Sequence, residues 1–433
     1  MIEAAAGDGY AAATVGRVVQ RAGVSRATFY QHFGDREDCF HAAYDEVAAA
    51  VVAVFERSLR APLAGDGQPR HLLAAVLAAI EADPAGASLF MLEARGALAT
   101  IDRRHAMQDK LDGLVAAALE QRLAEGLSPL RVPSRALLGG VENVLAVRLH
   151  NGDSARICAL LFDLLAWIDS YSADDLPDVE PELRALGGEL GTARRAPSHR
   201  PRPLPRGRSA LSADEASADR HERIIGAMAR LSRERGYAAT TVADLTAAAR
   251  VSRGAFYRSF SGKHEVFLAA QTIGLQRAIS LAAEAFFGAE DWPDRVWRGL
   301  EAMLSYVASR PDLAWVDVVE SYAVGRAAVA RSIENRQAFS LFLEQGYAHR
   351  SEAQRLPRLC SEAIGGAIQE LMRVEILAGR TEEILAILPQ AVYVTLAPFV
   401  GPAEARCFVA GKVRERAGCP VRPDRRRLSP DLG

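Results

Sequence analysis

Two short stretches of the chain place cationic, hydroxyl and aromatic side chains where they could contact a polyanion. In the first stretch, Phe29 and Phe33 stand at i and i+4 and predict the buried face of a helix. The residues between and around them then face outward or sideways: Arg26, Thr28, Tyr30, Gln31 and His32. Such side chains bind phosphate oxygens and base edges, so the pattern favours nucleic-acid recognition.

The same stretch occurs twice in the sequence. Residues 9–43 align without a gap with residues 236–270, and 16 of the 35 positions are identical. The identities include a Gly-Tyr pair, a Thr-Val pair and the run V-S-R-x-x-F-Y-x-x-F, which composition does not explain. The chain therefore contains an internal repeat.

Local signals predict two helices joined by a tight turn in each copy. Thr14 and Thr241 suit helix N-caps, and Asp244 completes a capping box with Thr241. Val15, Val18 and Ala22 in the first copy, and Val242, Leu245 and Ala249 in the second, give each first helix one apolar face. Gly23 ends the helix of the first copy, Val24 is placed to plug the angle between the helices, and Ser25 suits the next N-cap. In the second copy Arg250 replaces Gly23, where a left-handed conformation would cost about 1 kcal/mol, so a strained or differently shaped turn is expected. Two helices so joined form a helix-turn-helix, whose second helix fits the DNA major groove.

Both copies resemble the tetracycline-repressor (TetR) family of bacterial transcription regulators, and the run AGVSRATFYQHFGDRED carries the closest likeness. The alternative is an ordinary helical hairpin with core aromatics, which leaves the outward polar residues and the repetition unexplained. The resemblance implies an all-α fold of two tandem units. Each unit would have a helix-turn-helix head and a helical body for ligand binding and dimerisation.

The resemblance also implies roles for individual residues in binding a double-stranded DNA operator. Phosphate contacts are expected from Thr14, Tyr30, His32 and Arg36, and from Thr241, Tyr257 and Lys263. Base reading is expected from Arg26, Ala27, Thr28 and Gln31, and from Arg253, Gly254, Ala255 and Arg258. Ser25 and Ser252 open the two recognition helices. Because Thr28 becomes Ala255 and His32 becomes Ser259, the heads should prefer different half-sites.

Composition and the positions of Pro, Gly and Asp divide the chain into six regions. They are a first head at 1–46, a first body at 47–190, a Pro/Arg-rich linker at 191–217, a second head at 218–272, a second body at 273–413 and a polar tail at 414–433. The linker is expected to be a flexible tether, or else a basic arm that touches DNA. In the first head the opening helix looks truncated, since Met1 aligns with Met228 and no counterparts of Ile224 and Ile225 exist. Either translation starts upstream or this head is compromised.

Composition narrows the class of protein. The chain has 433 residues, 49% of them hydrophobic, and few β-branched alternating runs, which favours several helical domains. Net charge is −2, so any attraction to DNA is local to the heads. The five cysteines have no metal-ligand spacing, and the apolar runs look too short to cross a bilayer, so a cytoplasmic protein without a cofactor is expected.

We find no arrangement of residues typical of an enzyme, and the leading interpretation is a transcriptional regulator, a repressor released by a small apolar effector. Eight side chains are candidates for lining the effector cavities: Phe90, Met91, His105, Trp167, Trp297, Trp315, Tyr322 and Phe339. Core packing is the alternative for each of them. The chain would act either as a covalent pseudo-dimer or as a homodimer with four heads. A different class, a helical ligand-binding or oligomerisation protein whose heads have lost DNA binding, stays open.

Overall fold

A computed structural model describes residues 1–61, 67–96, 100–124, 126–193 and 212–416. Within these ranges the chain is all-α, and the only β-type pairing is an isolated bridge between Leu130 and Ser172. The expected all-α fold is confirmed.

The first unit starts with the helix-turn-helix head and continues into a helical body. Its helices are α1 Ile2–Asp8, α2 Val15–Ala22, α3 Arg26–His32, α4 Arg36–Arg60, α5 Gly67–Ala82, α6 Pro84–Ser88, α7 Ala94–Gly96, α8 Ile101–Ala124, α9 Ser134–Asn151, α10 Leu161–Asp169 and α11 Glu180–Ala193. A π-helical segment, Leu89–Glu93, separates α6 from α7.

The second unit repeats this order. Its helices are α12 Ala213–Ala239, α13 Val242–Ala249, α14 Arg253–Ser259, α15 Lys263–Phe287, α16 Trp292–Ser309, α17 Pro311–Trp315, α18 Ser321–Val324, α19 Arg326–Ser340, α20 Glu344–Tyr347, α21 Leu359–Leu377, α22 Leu388–Val400 and α23 Pro402–Arg416. A second π-helical segment, Val316–Glu320, stands at the position equivalent to the first.

Helix ends differ from the expected region boundaries at several points. The linker prediction is wrong at both ends, because α11 runs to Ala193 and α12 begins at Ala213. Ser212 and Glu215 form a capping box that starts α12 inside a stretch whose composition suggests no helix. Helix α23 extends to Arg416, two residues into the expected tail. The rest of the linker and tail lie outside the described residues.

The bodies of the two units pack against each other through α9 and α21. Glycines let the two backbones touch, since a Cβ on Gly366 would lie 2.2 Å from Asn143 Cβ and 2.8 Å from the Gly139 carbonyl oxygen. Asn143 Nδ2 donates to the Glu362 carbonyl at 3.0 Å, and Arg148 pairs with the Glu362 carboxylate through two contacts of 3.1 Å. Small residues thus set how closely the units approach.

Tyrosine hydroxyls tie the units together farther along the same interface. Tyr171 donates to the Val394 carbonyl at 2.8 Å, and Tyr393 donates to the Arg131 carbonyl at 2.6 Å. Both hydroxyls belong to buried side chains, so these bonds replace water that the interface excludes. The contacts join opposite units of one chain.

Two helices of the second unit are long and apolar enough to cross a bilayer, by length and composition alone, contrary to the expectation that no apolar run is. They are Lys263–Phe287 and Thr381–Val400. The second includes α22, in which every residue is buried. Its apolar character is accounted for by packing between α16, α11 and α23 in the centre of the fold.

Candidate nucleic-acid interface

The second head has the local structure that its sequence predicts. Thr241 caps α13 and forms a capping box with Asp244, and Ser252 caps α14 by accepting the Ala255 amide at 3.1 Å. Phe256 and Phe260 lie on the inner face of α14 and are 0% and 3% exposed. These contacts hold α14 in place and leave its opposite face exposed.

The first head forms the same motif, but the N-cap hydrogen bond of its first helix is longer than that of the second head. Thr14 caps α2 by accepting the Arg17 amide at 3.4 Å, and Ser25 caps α3 by accepting the Thr28 amide at 3.0 Å. Gly23 ends α2 in the left-handed region at φ 66°. A capping box is confirmed in the second head and has no acidic partner in the first.

Arg250 occupies the turn position that Gly23 occupies in the first head. Its φ is 54°, and it is the only non-glycine residue with positive φ among those described. A left-handed residue with a Cβ costs about 1–2 kcal/mol, so the strain expected from sequence is confirmed. Arg223 Nη1 donates to the Ala249 carbonyl at 2.8 Å and supports the end of α13 at this turn.

Exchanging the two turn residues should move stability in opposite directions. We expect Arg250→Gly to raise the free energy of unfolding by up to about 1 kcal/mol, because strain outweighs the added freedom of the unfolded chain. Gly23→Arg should lower it by about the same amount, and no atom lies within 4 Å of the added Cβ to cause a clash. Urea unfolding of both variants checks this, and a stability loss in Arg250→Gly would contradict it.

Most residues expected to read DNA are exposed on one face of each head. Arg26, Ala27, Gln31 and His32 are exposed in the first head, as are Arg253, Gly254 and Arg258 in the second. Tyr30 and Tyr257 are 57% and 48% exposed despite their size. Both rings are therefore accessible to a binding partner on the same side as the exposed arginines.

Two of the expected readers are less available. Ala255 is 7% exposed, so the prediction that it reads bases is wrong; it packs on the inner side of α14 beside Phe256. Thr28 is half-buried, and its hydroxyl lies 2.9 Å from that of Ser25 in the helix cap. Only its methyl group is left to offer to a base.

Arg36 and Lys263 are held by backbone carbonyls of their own heads. Lys263 Nζ donates to the carbonyls of Tyr237 at 3.0 Å, Ala238 at 3.2 Å and Thr240 at 2.9 Å, which uses all three of its donors. Arg36 Nη1 donates to the Tyr10 carbonyl at 3.2 Å, and its guanidinium lies 4.4 Å from the Tyr10 ring centre. Burial lowers the pKa of Lys263. Both cations therefore hold their own head together through backbone carbonyls, a structural role that the sequence did not predict.

The helix that follows each recognition helix begins differently in the two heads. In the first head the Asp35 carboxylate accepts the Asp38 amide at 2.8 Å, so an acid occupies the start of α4. In the second head the N-cap of α15 is Gly262, and no side chain caps it. The positive end of a helix dipole attracts a phosphate. The start of α15 has no side-chain cap, although the Glu265 carboxylate in its first turn accepts the Ser261 amide at 2.7 Å.

In the first head, the apolar residues at the turn between α2 and α3 are poorly covered by the rest of the protein. Ala22 and Val24 are exposed there, whereas Ala249 is 3% exposed and Val251 is half-buried in the second head. In the second head, Ile224 and Ile225 of α12 belong to the same buried cluster as Ala249. The expectation that Ala22 and Val24 are packed is therefore wrong for the first copy.

Each head is fastened to its own body by a glutamate, half-buried Glu93 or buried Glu320, and we call this contact a latch. The Tyr10 amide donates to Glu93 Oε2 at 2.6 Å, and the Tyr237 amide donates to Glu320 Oε1 at 2.6 Å. Each carboxylate ends a π-helical segment, an element often found at functional sites. The repeat aligns Glu93 with Glu320, but nothing in the sequence predicts that they accept hydrogen bonds from the Tyr10 and Tyr237 amides.

The two latches differ in what occupies the second carboxylate oxygen. Trp315 Nε1 donates to Glu320 Oε2 at 3.0 Å, so both oxygens of Glu320 accept hydrogen bonds. Burial raises the pKa of both Glu93 and Glu320 above its ordinary value. Because the pKa is raised in the folded protein, the native state binds more protons than the unfolded chain does between 4.5 and the raised pKa. The two glutamates therefore destabilise the fold at higher pH, and this cost disappears as the pH falls through the raised pKa toward 4.5.

We expect Glu320→Gln to destabilise the protein by about 1–3 kcal/mol, because the new amide group must face one of two N–H donors. Glu93→Gln is the matched control. It keeps an acceptor for the Tyr10 amide and removes a charge that burial disfavours, so it should change stability by less than about 0.5 kcal/mol. Thermal unfolding at pH 7 compares them, and equal losses in the two variants would contradict the proposed difference.

The candidate effector residues are spread over several environments. Phe90 and Met91 line a cavity of about 70 Å³ in the first body, and Phe339 lines one of about 50 Å³ in the second. Trp167 and Trp297 are core residues at 0% and 4% exposure, with the Trp167 ring filling the space beside Gly140. Both body cavities are small beside the roughly 300–1,000 Å³ of typical ligand sites.

The remaining candidates lie at the latches and the interface. Trp315 donates to Glu320, and Tyr322 accepts from Arg95 Nη1 at 3.2 Å across the units. His105 is half-buried, and burial lowers its pKa. Tyr322 also borders a cavity of about 270 Å³ where the first head meets both bodies, lined in part by Tyr10, Glu93, His150 and Arg326. This junction cavity touches the first latch directly.

The two heads coincide with the part of the chain that matches a known family. The model of the family described as bacterial regulatory proteins, tetR family, matches residues 2–43 and again residues 224–270. No match to this chain was found among curated proteins. The matched segments contain both helix-turn-helix motifs and both recognition helices, α3 and α14. Two segments of this all-α chain thus match the model of the family described as bacterial regulatory proteins, tetR family.

Proposed function

We propose that this protein is a sequence-specific DNA-binding transcriptional regulator of the cytoplasm, in which two heads on one chain read two different half-sites. The observation that carries the proposal is the pair of exposed faces on α3 and α14, each with an arginine and a half-exposed tyrosine. No catalytic role is proposed for any residue of the chain.

Within each head we assign phosphate binding and base reading to different residues. Tyr30, Thr14 and His32 would bind phosphates in the first head, and Thr241 and Tyr257 in the second, joined there by the uncapped start of α15. Arg26 and Arg253 would contact guanine, with help from Ala27, Gln31 and the Thr28 methyl or from Gly254 and Arg258. The second head should contribute more affinity, since its turn is better covered.

The packing of the bodies supports a pseudo-dimer. The supporting observations are the contacts between α9 and α21, the tyrosine hydrogen bonds and the Arg148–Glu362 pair, all of which join the two units of one chain. A pseudo-dimer reads an asymmetric operator, whereas a homodimer of this chain would bring four heads. Mass photometry with and without DNA distinguishes 46.6 kDa from its double.

We further propose that the protein is a repressor and that a small effector releases it from DNA by moving a latch. The junction cavity is the best candidate site, because its volume of about 270 Å³ lies close to the lower end of the range for ligand sites and because Glu93 and Tyr10 line it. A ligand there would favour one head position over another, which shifts the population between bound and released states.

The proposal is tested by fluorescence anisotropy of the duplex flanking the gene as salt is raised. A regulator should keep a specific complex and lose affinity steeply with salt, because cations on the protein release counter-ions from DNA. An alternative function, a helical ligand-binding or oligomerisation protein, is favoured by the exposed Val24 and the strained Arg250. Binding no stronger than to scrambled duplex would favour that alternative.

A further inference from the structure

A cluster of buried charges lies in the interface between the two units, and we call it the interface charge cluster. Its members are Arg95, Arg104, Glu142, Glu370 and Arg373. The side chains of the three arginines are 9%, 8% and 7% exposed, so none of the three guanidinium groups has the bulk solvent that normally stabilises a charge. The cluster has three positive charges and two negative charges.

Two arginines of the cluster are tightly paired, and the third shares the Glu142 carboxylate with Arg95 at a longer distance. Arg373 binds the Glu370 carboxylate through two bonds of 2.7 Å, and Arg95 Nη2 lies 2.8 Å from Glu142. Arg104 comes no closer than 3.9 Å to Glu142, and it makes no hydrogen bond to any residue in the described part of the chain. Arg95 Nε is also buried without an acceptor. The pairing leaves one guanidinium charge uncompensated.

An uncompensated buried charge must be neutralised by some means. Loss of a proton does not suffice, because burial, with help from Arg373 and Arg95, lowers the pKa of Arg104 only to about 10. The group therefore stays charged at neutral pH. Partnerless buried ions are strongly unfavourable, so a compensating negative charge is required close to the guanidinium groups.

The same three arginines line a cavity of about 20 Å³, together with Tyr322 and the aliphatic side chains of Val318 and Val319. A space of this size accommodates one water-sized particle. Guanidinium and hydroxyl donors on apolar walls suit a spherical anion, which has no orientation to satisfy. We propose that this cavity binds a small monovalent anion of halide size, chloride in the cell, as the counter-ion of the interface charge cluster.

The position of the cavity gives the ion a structural role. Arg95 follows the first latch residue, Glu93, by two positions, and Val319 directly precedes the second, Glu320. Arg95 and Tyr322 are equivalent positions of the repeat and contact each other, with the guanidinium 5.1 Å from the ring centre. The anion therefore lies between the two latched segments and holds the units together, whether or not the heads bind DNA.

The proposal is tested by thermal unfolding of the whole chain in sodium chloride and in sodium gluconate at equal ionic strength. Gluconate is too large for the cavity. We expect the unfolding temperature to be higher in chloride by at least about 3 °C, because binding to the native state alone stabilises it. Crystals soaked in sodium bromide should show an anomalous peak among the three arginines.

Arg104→Met supplies the decisive variant, since it makes the cluster neutral while filling similar space. It should unfold at the same temperature in both salts. Arg103→Met is the matched control on the same helix; Arg103 is 46% exposed and pairs with Asp45, so the chloride effect should persist. Equal unfolding temperatures for the natural chain in both salts, or no bromide peak, would overturn the proposal.

A second measurement excludes internal neutralisation. Burial raises the pKa of Tyr322, but Arg336 and Arg95 outweigh it and bring the pKa below its ordinary value. If Tyr322 were a phenolate, it would absorb near 295 nm at pH 7.5, and Tyr322→Phe would remove that absorbance. We expect no difference between the natural chain and this variant. A phenolate signal would overturn the proposal, because the cluster would then need no external anion.

Discussion

Gly366→Leu should separate the two units of the chain. Its Cβ would lie 2.2 Å from Asn143 Cβ and 2.8 Å from the Gly139 carbonyl, both on the facing helix α9. Overpacking of this kind costs about 1–3 kcal/mol even where neighbours can move, and here a backbone atom is one of the obstacles. We expect a larger hydrodynamic radius, a lower unfolding temperature and weaker binding to an operator that needs both heads.

The neighbouring glycine provides the control for this variant. A Cβ on Gly365 would meet nothing closer than the Arg336 carbonyl at 4.0 Å, so Gly365→Ala should fold normally and gain up to about 1 kcal/mol of helix propensity. Small-angle scattering and size-exclusion chromatography compare the two variants. A compact, fully stable Gly366→Leu protein would show that the α9–α21 contact does not hold the units together.

The second large effect is expected from the recognition helix of the second head. Arg253→Ala should weaken binding to the preferred duplex by about 1–3 kcal/mol, a factor of about 5 to 150, and relax base preference at one position. Arg26→Ala in the first head should cost less, because the exposed Val24 and the acid at the start of α4 weaken that head. Anisotropy titrations at one salt concentration measure both.

Arg298→Ala is a suitable control for these titrations. Arg298 is 53% exposed on the body helix α16, where it pairs with Asp294 within one helical turn. Its removal changes the net charge as the head variants do but leaves both recognition helices untouched. If Arg298→Ala weakened binding as much as Arg253→Ala, the effect would come from overall charge and not from contact with a base.

The local features of both heads were predictable from the sequence. Thr241 with Asp244 specifies a cap within four residues, and Arg250 in place of Gly23 specifies a strained turn. Such signals depend on neighbouring residues alone, which is why they survive without knowledge of the fold. The fit of both copies to one pattern also made the tandem order readable.

Features that depend on distant residues were not predictable. The Glu93 and Glu320 latches join atoms 83 positions apart, and Arg95 meets Tyr322 across 227 positions. Ala255 was mistaken for a base reader because helical periodicity does not say how deeply a small residue packs. Whether Val24 is buried depends on how the opening helix of the head packs over the turn, and the local sequence pattern does not determine that packing.

Selection of bound sequences from a random duplex library tests the two-headed account most directly, because it reports which heads function and how far apart they bind. The account predicts enrichment of two unlike half-sites at a fixed spacing, with the half-site of the second head the more strongly constrained, and relaxed preference at one position of that half-site in Arg253→Ala. A pool no different from unselected DNA would contradict it.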